Sequence, residues 1–183
     1  MNSENPIGAD NQQGRPQEEL PPQYIAGFVD GEGCFSVSIY PHPTVRYGTR
    51  FQIQPCFQVY QERANVGILE RIRDYFGCGR ISSKGPNSTV MTFSIHSRPD
   101  LLNVVVPFFE QYPLLSLKNE DFLKFREIVL AMEKKEHLTS EGFEWIVRMA
   151  FSMNQRGKQR KYKLEDLLAE PSETACRAAS TSC

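Results

Sequence analysis

The chain has 183 residues, enough for one ordinary domain with a real core or two very small ones. With 40% hydrophobic and 23% charged residues it reads as a soluble globular protein. No apolar run approaches the roughly 18–20 residues of a membrane helix, so no membrane partner is expected. The net charge of −1 is unevenly spread: residues 1–19 and 165–183 each carry −3, which leaves the body at +5 and suits a polyanionic partner.

The first twenty residues lack an apolar signal core, so secretion is not expected. Five cysteines, odd in number and with no CxxC pair, read as reduced thiols of an intracellular protein. Residues 1–21 are polar and aperiodic, as are residues 169–183. Both are read as disordered tails, leaving one domain over residues 22–168.

The domain opens with a helix from Tyr24 to about Gly31. Gly27 and Gly31 are four apart and share a face, with Ala26 and Asp30 beside them. That face has little side-chain bulk, so a second helix can approach closely. Two internal glycines cost helix stability, which close packing would offset. Glu32 follows at the helix end. Packing this helix on a copy of itself brings two Glu32 carboxylates together, an arrangement that binds divalent metal. The same "DGEG" also reads as a plain helix-to-strand turn.

"CFSVSIY" then alternates Phe35, Val37 and Ile39 against Ser36, Ser38 and Tyr40, as a half-buried strand does. "RFQIQPCFQVY" repeats the pattern, with Pro55 hinting at an edge or a bulge. The outward residues Ser36, Ser38, Tyr40, Gln52, Gln54, Gln58 and Tyr60 are hydrogen-bonding and uncharged. Glutamine can donate and accept to adenine at once, although a neutral polar surface fits the same residues. Arg50, Arg80 and Lys84 lie near the strand ends and favour a nucleic-acid surface.

"NVGILERIRDYFG" reads as a helix capped by Asn65 and ended by Gly77. "GRISS" and "TVMTFSI" form a second hairpin. "RPDLLNVVV" starts a helix at Pro99 that Pro107 stops. "NEDFLKFREIVLAMEKKEH" sets Phe122, Phe125, Val129 and Met132 on one helical face, and "EGFEWIVRMAFSM" is another amphipathic helix. The order is α-β-β-α-β-β-α and then extra helices, an α+β class with helices on one face of an antiparallel sheet. "NQRGKQRKYK", residues 154–163, holds Arg156, Lys158, Arg160, Lys161 and Lys163 with no acid among them. It reads as a phosphate-contacting loop or as a solvated basic loop.

"IAGFVDGEG", Ile25 to Gly33, resembles the LAGLIDADG motif of homing endonucleases, and the order of elements after it resembles that fold. The resemblance covers about residues 22–163. It implies a saddle-shaped antiparallel sheet. One motif implies a homodimer across the motif helices, with Ala26, Gly27, Asp30 and Gly31 at the interface and Asp30 bonded around the opposite helix. Two such sheets imply a long, pseudo-palindromic duplex DNA target. Glu32 matches the metal-binding acid, and the Gly31 carbonyl matches a further metal ligand. Gln61 in "FQVYQER" looks like the residue that orders water near the metal. Lys118 in "LSLKNE" looks like the lysine that stabilises developing charge. Ser36, Ser38, Tyr40, Gln52, Gln54, Gln58, Arg80, Ser82 and Lys84 are expected to read the major groove.

Two positions depart from the pattern. Asn65 stands where a basic residue is expected, with Arg63 two residues earlier, and Glu32 replaces the commoner Asp. The implied activity is Mg²⁺-dependent hydrolysis of both DNA strands, promoting intron mobility, in a bacterial cytoplasm or an organelle. The alternatives on the same fold are an RNA maturase bound to its intron and a non-cleaving DNA-binding regulator.

Overall fold

A computed structural model describes residues 19–41, 51–154 and 162–168. Of the expected tails, residues 1–21 and 169–183, residues 1–18 and 169–183 lie outside the described residues. Leu20, expected in the first tail, instead belongs to the core at 6% exposure. It is an apolar residue directly before the prolines that start the first helix.

Helix α1 spans Pro22–Glu32, with Pro at its start, where an unpaired amide costs nothing. Ile25 and Val29 are fully buried. The chain leaves α1 at Gly33, whose amide donates to the Val29 carbonyl. A Cβ there would sit 2.5 Å from Val29 Cγ1 and 2.7 Å from Val29 O. Backbone cannot retreat as a flexible side chain can. Gly33→Ala is therefore expected to cost about 1–3 kcal/mol, read as a lowered urea midpoint with unchanged slope.

Strand β1 spans Gly33–Pro41 and β2 spans Phe51–Glu62, followed by a short 3₁₀ turn, Arg63–Asn65, and helix α2, Val66–Phe76. Strands β3, Arg80–Ser83, and β4, Val90–Ile95, complete one sheet in the order β1-β2-β4-β3, every neighbour antiparallel. Register puts Phe35 opposite Phe57 and Phe57 opposite Ile95, a continuous apolar row under the helices. Phe35 is its centre, with ring centroids 5.2 Å from Phe57 and 5.3 Å from Phe109, Phe122 and Phe125. Pro55 lies in a central strand and not at a sheet edge. Pairing with β4 begins only at Phe57, so at Pro55 the ladder runs to β1 alone.

Helix α2 ends as predicted, at Gly77 with φ of 66°. Its start differs: Asn65 makes no side-chain cap, because it closes the 3₁₀ turn that leads in. Pro107 does not stop its helix. Helix α3, Arg98–Asp100, runs through a π-helical segment, Leu101–Val105, into α4, Val106–Gln111. The wider turn, with Val106 N–H donating to Leu101 O, absorbs the hydrogen bond that a proline cannot make. Helix α5, Lys118–Glu133, buries Phe122, Phe125, Val129 and Met132 as its periodicity requires. Helices α6, Ser140–Phe151, and α7, Leu164–Leu168, close the layer. Among the described residues no helix is long and apolar enough to cross a membrane.

Candidate functional site

The polar corner forms where α1 ends and α5 begins. Lys118, the first residue of α5, donates from Nζ to Val29 O at 2.9 Å and to Gly31 O at 3.3 Å. These are carbonyls of the last turn of α1, the negative end of its dipole, which favours a cation. Burial pushes the Lys118 ammonium below its ordinary pKa, and Asp30, Cys34, Glu32 and Asp121 oppose that shift. Glu32 itself is exposed at the end of α1. The structure thus brings together Glu32, the Gly31 carbonyl and Lys118, as the motif suggested.

Asp30 is committed within its own chain. Its carboxylate accepts from Leu115 N–H at 3.1 Å, Ser116 N–H at 3.0 Å and Ser116 Oγ at 2.5 Å. It therefore ties α1 to the segment before α5 and helps to place Lys118, in contrast to the expected bond around an opposite helix. Ala26, expected on the interface, is already covered at 7% exposure. Gly27 and Gly31 do stand open: a Cβ on either meets nothing within 4 Å. Beside them lies a cavity of about 370 Å³ lined by Gln23, Gly27, Tyr112, Leu114 and Leu115.

Gln61 sits one cavity away, with Tyr24, Phe28 and Asn65 lining the same space of about 430 Å³. Its amide oxygen accepts from Glu62 N–H at 2.8 Å. Arg63 does not complete this group. Its guanidinium donates to Ser88 O at 3.3 Å and its amide to Thr89 O at 2.7 Å, which ties it to the turn between β3 and β4. Asn65 is the residue that shares the cavity with Gln61.

The sheet face opposite the helices carries the predicted polar set. Register aligns Ser36 with Cys56, Ser38 with Gln54, Tyr40 with Gln52 and Cys34 with Gln58. Arg80 and Ser82 join the same rows through Ser94 and Thr92. Lys84 sits with its Nζ 4.8 Å from the Tyr60 ring centroid. Arg50, Arg156, Lys158, Arg160 and Lys161 lie outside the described residues. Sequence reading missed Thr92, Ser94 and Cys34 on this face, though the alternation of "VMTFSI" against Phe93 and Ile95 carried the signal for the first two. Cys56 is buried in the face, its Sγ 3.5 Å from His96 Nε2. Burial above all, then Cys34, pushes its thiol up to about 12, so it stays a neutral thiol. The three described cysteines, Cys34, Cys56 and Cys78, are free, as their spacing suggested.

Asn154 anchors the stretch that leads into the basic segment. Its amide donates to Asp121 Oδ1 at 3.0 Å and its Nδ2 to Phe35 O at 2.8 Å, with φ of 53°. Asparagine tolerates that left-handed backbone better than most residues. Asn154→Ala is expected to lose about 1–2 kcal/mol by thermal melt.

Residues 25–129 match the family described as LAGLIDADG endonuclease. The chain belongs to this family. It is 36% identical over 127 residues to "Probable intron-encoded endonuclease 3" of Neurospora crassa, covering 69% of this chain and 23% of that protein. It spans about a quarter of the fungal relatives it matches, at 27%, 23% and 29% of three of them. Among solved structures it is similar to the homing endonuclease I-TnaI, at TM-score 0.73 and 37% identity, covering 82% of this chain and 97% of that one. It is also similar to I-SmaMI bound to uncleaved DNA target in the presence of calcium ions, at TM-score 0.72 and 32% identity. That match covers 80% of this chain and 48% of the other. As a member of this family, the chain has its motif on α1 and the motif's second acid, Glu32, at the corner with Lys118.

Proposed function

We propose that this chain is a site-specific homing endonuclease that hydrolyses both strands of a long, pseudo-palindromic DNA site as a two-fold homodimer and so promotes intron mobility. The observation that carries this reading is the corner itself. Glu32, the Gly31 carbonyl and Lys118 converge at one end of α1, where the chain enters the hydrogen-bonding sheet face. Further support comes from the I-SmaMI match, in which a chain of this size corresponds to about half of a DNA-bound relative. The proposed unit spans residues 22–168, with Leu20 added to its core.

The donors fit a hard divalent ion such as Mg²⁺. Glu32 offers an exposed carboxylate, and the Gly31 carbonyl already faces a cation in the form of Lys118 Nζ. In the proposed dimer a second copy's Glu32 adds a further carboxylate to the one at the end of this chain's α1. Bound there, the ion supplies Lewis-acid stabilisation of charge on the phosphate and a more acidic water. Lys118 adds a fixed positive charge at the same corner, and Gln61 orders water beside α1. Gly27 and Gly31 form the open face that lets the second helix approach.

The test is cleavage of a plasmid carrying the intronless flanking DNA, with Mg²⁺, with Ca²⁺ and with Glu32→Gln. A Mg²⁺-dependent double-strand cut that the variant lacks is the expected result. Tight binding with no cut under any condition overturns the nuclease reading. Intron-RNA binding would then separate a maturase from a regulator.

A further inference from the structure

Two glutamines on the polar sheet face are not free to choose which end of the amide they present. Tyr40 Oη donates to Gln54 Oε1 at 2.9 Å, and Tyr60 Oη donates to Gln58 Oε1 at 2.8 Å. The first pair crosses from β1 to β2; the second lies along β2. In both, the carbonyl end of the amide is turned to a phenol on the sheet, and the amino end is left for whatever lies against the face.

We propose that Tyr40 and Tyr60 are specificity-determining positioning residues that hold Gln54 and Gln58 as hydrogen-bond donors. The glutamines then select base edges rich in acceptors, guanine first, over adenine. This inference rests on the DNA-reading face proposed above.

The chemistry follows from the amide's two ends. A glutamine that reads adenine uses both: its oxygen accepts from N6 and its amino group donates to N7. Guanine presents two acceptors, O6 and N7, and asks only for donors. With its oxygen already accepting from a tyrosine, the amide keeps one lone pair for adenine N6, so the two-point mode must share that oxygen and weaken the bond it already makes. It need weaken nothing to donate to guanine. Of the two pairs, Tyr60–Gln58 is held more firmly. Lys84 Nζ lies 4.8 Å from the Tyr60 ring centroid, and Tyr60 is paired in register with Thr92 of β4. Burial also pushes the Tyr60 phenol above its ordinary pKa, so the hydroxyl keeps the proton that it donates.

The experiment is selection of randomised duplexes by the full chain in Ca²⁺, followed by sequencing. It is run with wild type, Tyr60→Phe, Gln58→Ala and the double variant, and repeated for Tyr40→Phe with Gln54→Ala. The expected result is a guanine preference in wild type at one position of each half-site. Gln58→Ala flattens that position. Tyr60→Phe keeps the ring and frees the carbonyl, and shifts adenine over guanine there by roughly tenfold. The shift disappears in the double variant. A merely structural tyrosine would lower affinity evenly and leave base preference alone, and that result overturns the proposal. So does an adenine preference in wild type at the position Gln58→Ala flattens. If Tyr60→Phe fails to fold, the Tyr40 arm decides by the same readout. If wild type enriches no duplex at all, the DNA-reading face itself fails, which is distinct from enrichment with tyrosine variants that change nothing.

Discussion

Glu32→Gln is expected to yield a folded protein that binds duplex DNA and no longer cuts it. Glu32 is exposed at the end of α1, so the swap of carboxylate for amide removes no core contact. Its effect on the melting temperature is expected to be within about 2 °C, since surface changes lie within roughly 0.5 kcal/mol. What the swap removes is the exposed carboxylate at the end of α1, next to the Gly31 carbonyl and near Lys118. An amide oxygen is a neutral, weaker ligand for a hard cation. The loss in cleavage rate is expected to be at least about a thousandfold, in line with the loss of a principal charge-stabilising group.

Binding should move the other way. Removing a negative charge from a surface that meets phosphates lowers repulsion, so the gel-shift affinity in Ca²⁺ should hold or rise slightly. The two readouts together separate a catalytic loss from a folding loss. Cleavage within tenfold of wild type would show that Glu32 is not the metal ligand, and loss of binding together with cleavage would show that it shapes the interface instead.

Alternation and helical spacing made most of the fold legible. Phe35, Val37, Phe57 and Val59 fall on the core side because a strand has period two, and their register confirms it. Phe122, Phe125, Val129 and Met132 fall on one side of α5 for the same kind of reason. The corner was legible only through the motif. Asp30 meets the backbone of Leu115, 85 residues further on, in a segment with no periodicity to reveal where it goes. That contact explains why Asp30 serves its own chain. Arg63 was equally opaque: its direction depends on where the turn between β3 and β4 lands, and it lands within reach of the guanidinium. Pro107 misled because proline is read as a helix stop, while the π turn before it removes the reason for stopping. Local rules thus located the elements, while the partners of the polar groups were set by chain segments far apart in sequence.

The same contrast between local and distant packing makes Gly27→Leu the sharpest test of assembly. A Cβ at Gly27 meets nothing within 4 Å, so its own chain has room for a side chain. Leucine is also the better helix former by about 0.8 kcal/mol, so the isolated chain should be as stable as wild type or slightly more so. A glycine kept at an exposed helical position against that preference calls for an approaching backbone. In a two-fold pairing both copies carry the new side chain, and each insertion costs about 1–3 kcal/mol. Association should then weaken by about 2–6 kcal/mol, which is roughly thirtyfold to ten-thousandfold. Leu115, 93% exposed at the rim of the neighbouring cavity, would stay in water in such a variant. Sedimentation is expected to show a dimer for wild type and a folded monomer for the variant, and double-strand cutting is expected to vanish with the second Glu32. A poorly folded monomer would place Gly27 in its own chain's packing. A dimer of undiminished affinity would move the interface off this helix face, and with it the proposed pairing of carboxylates for cutting both strands.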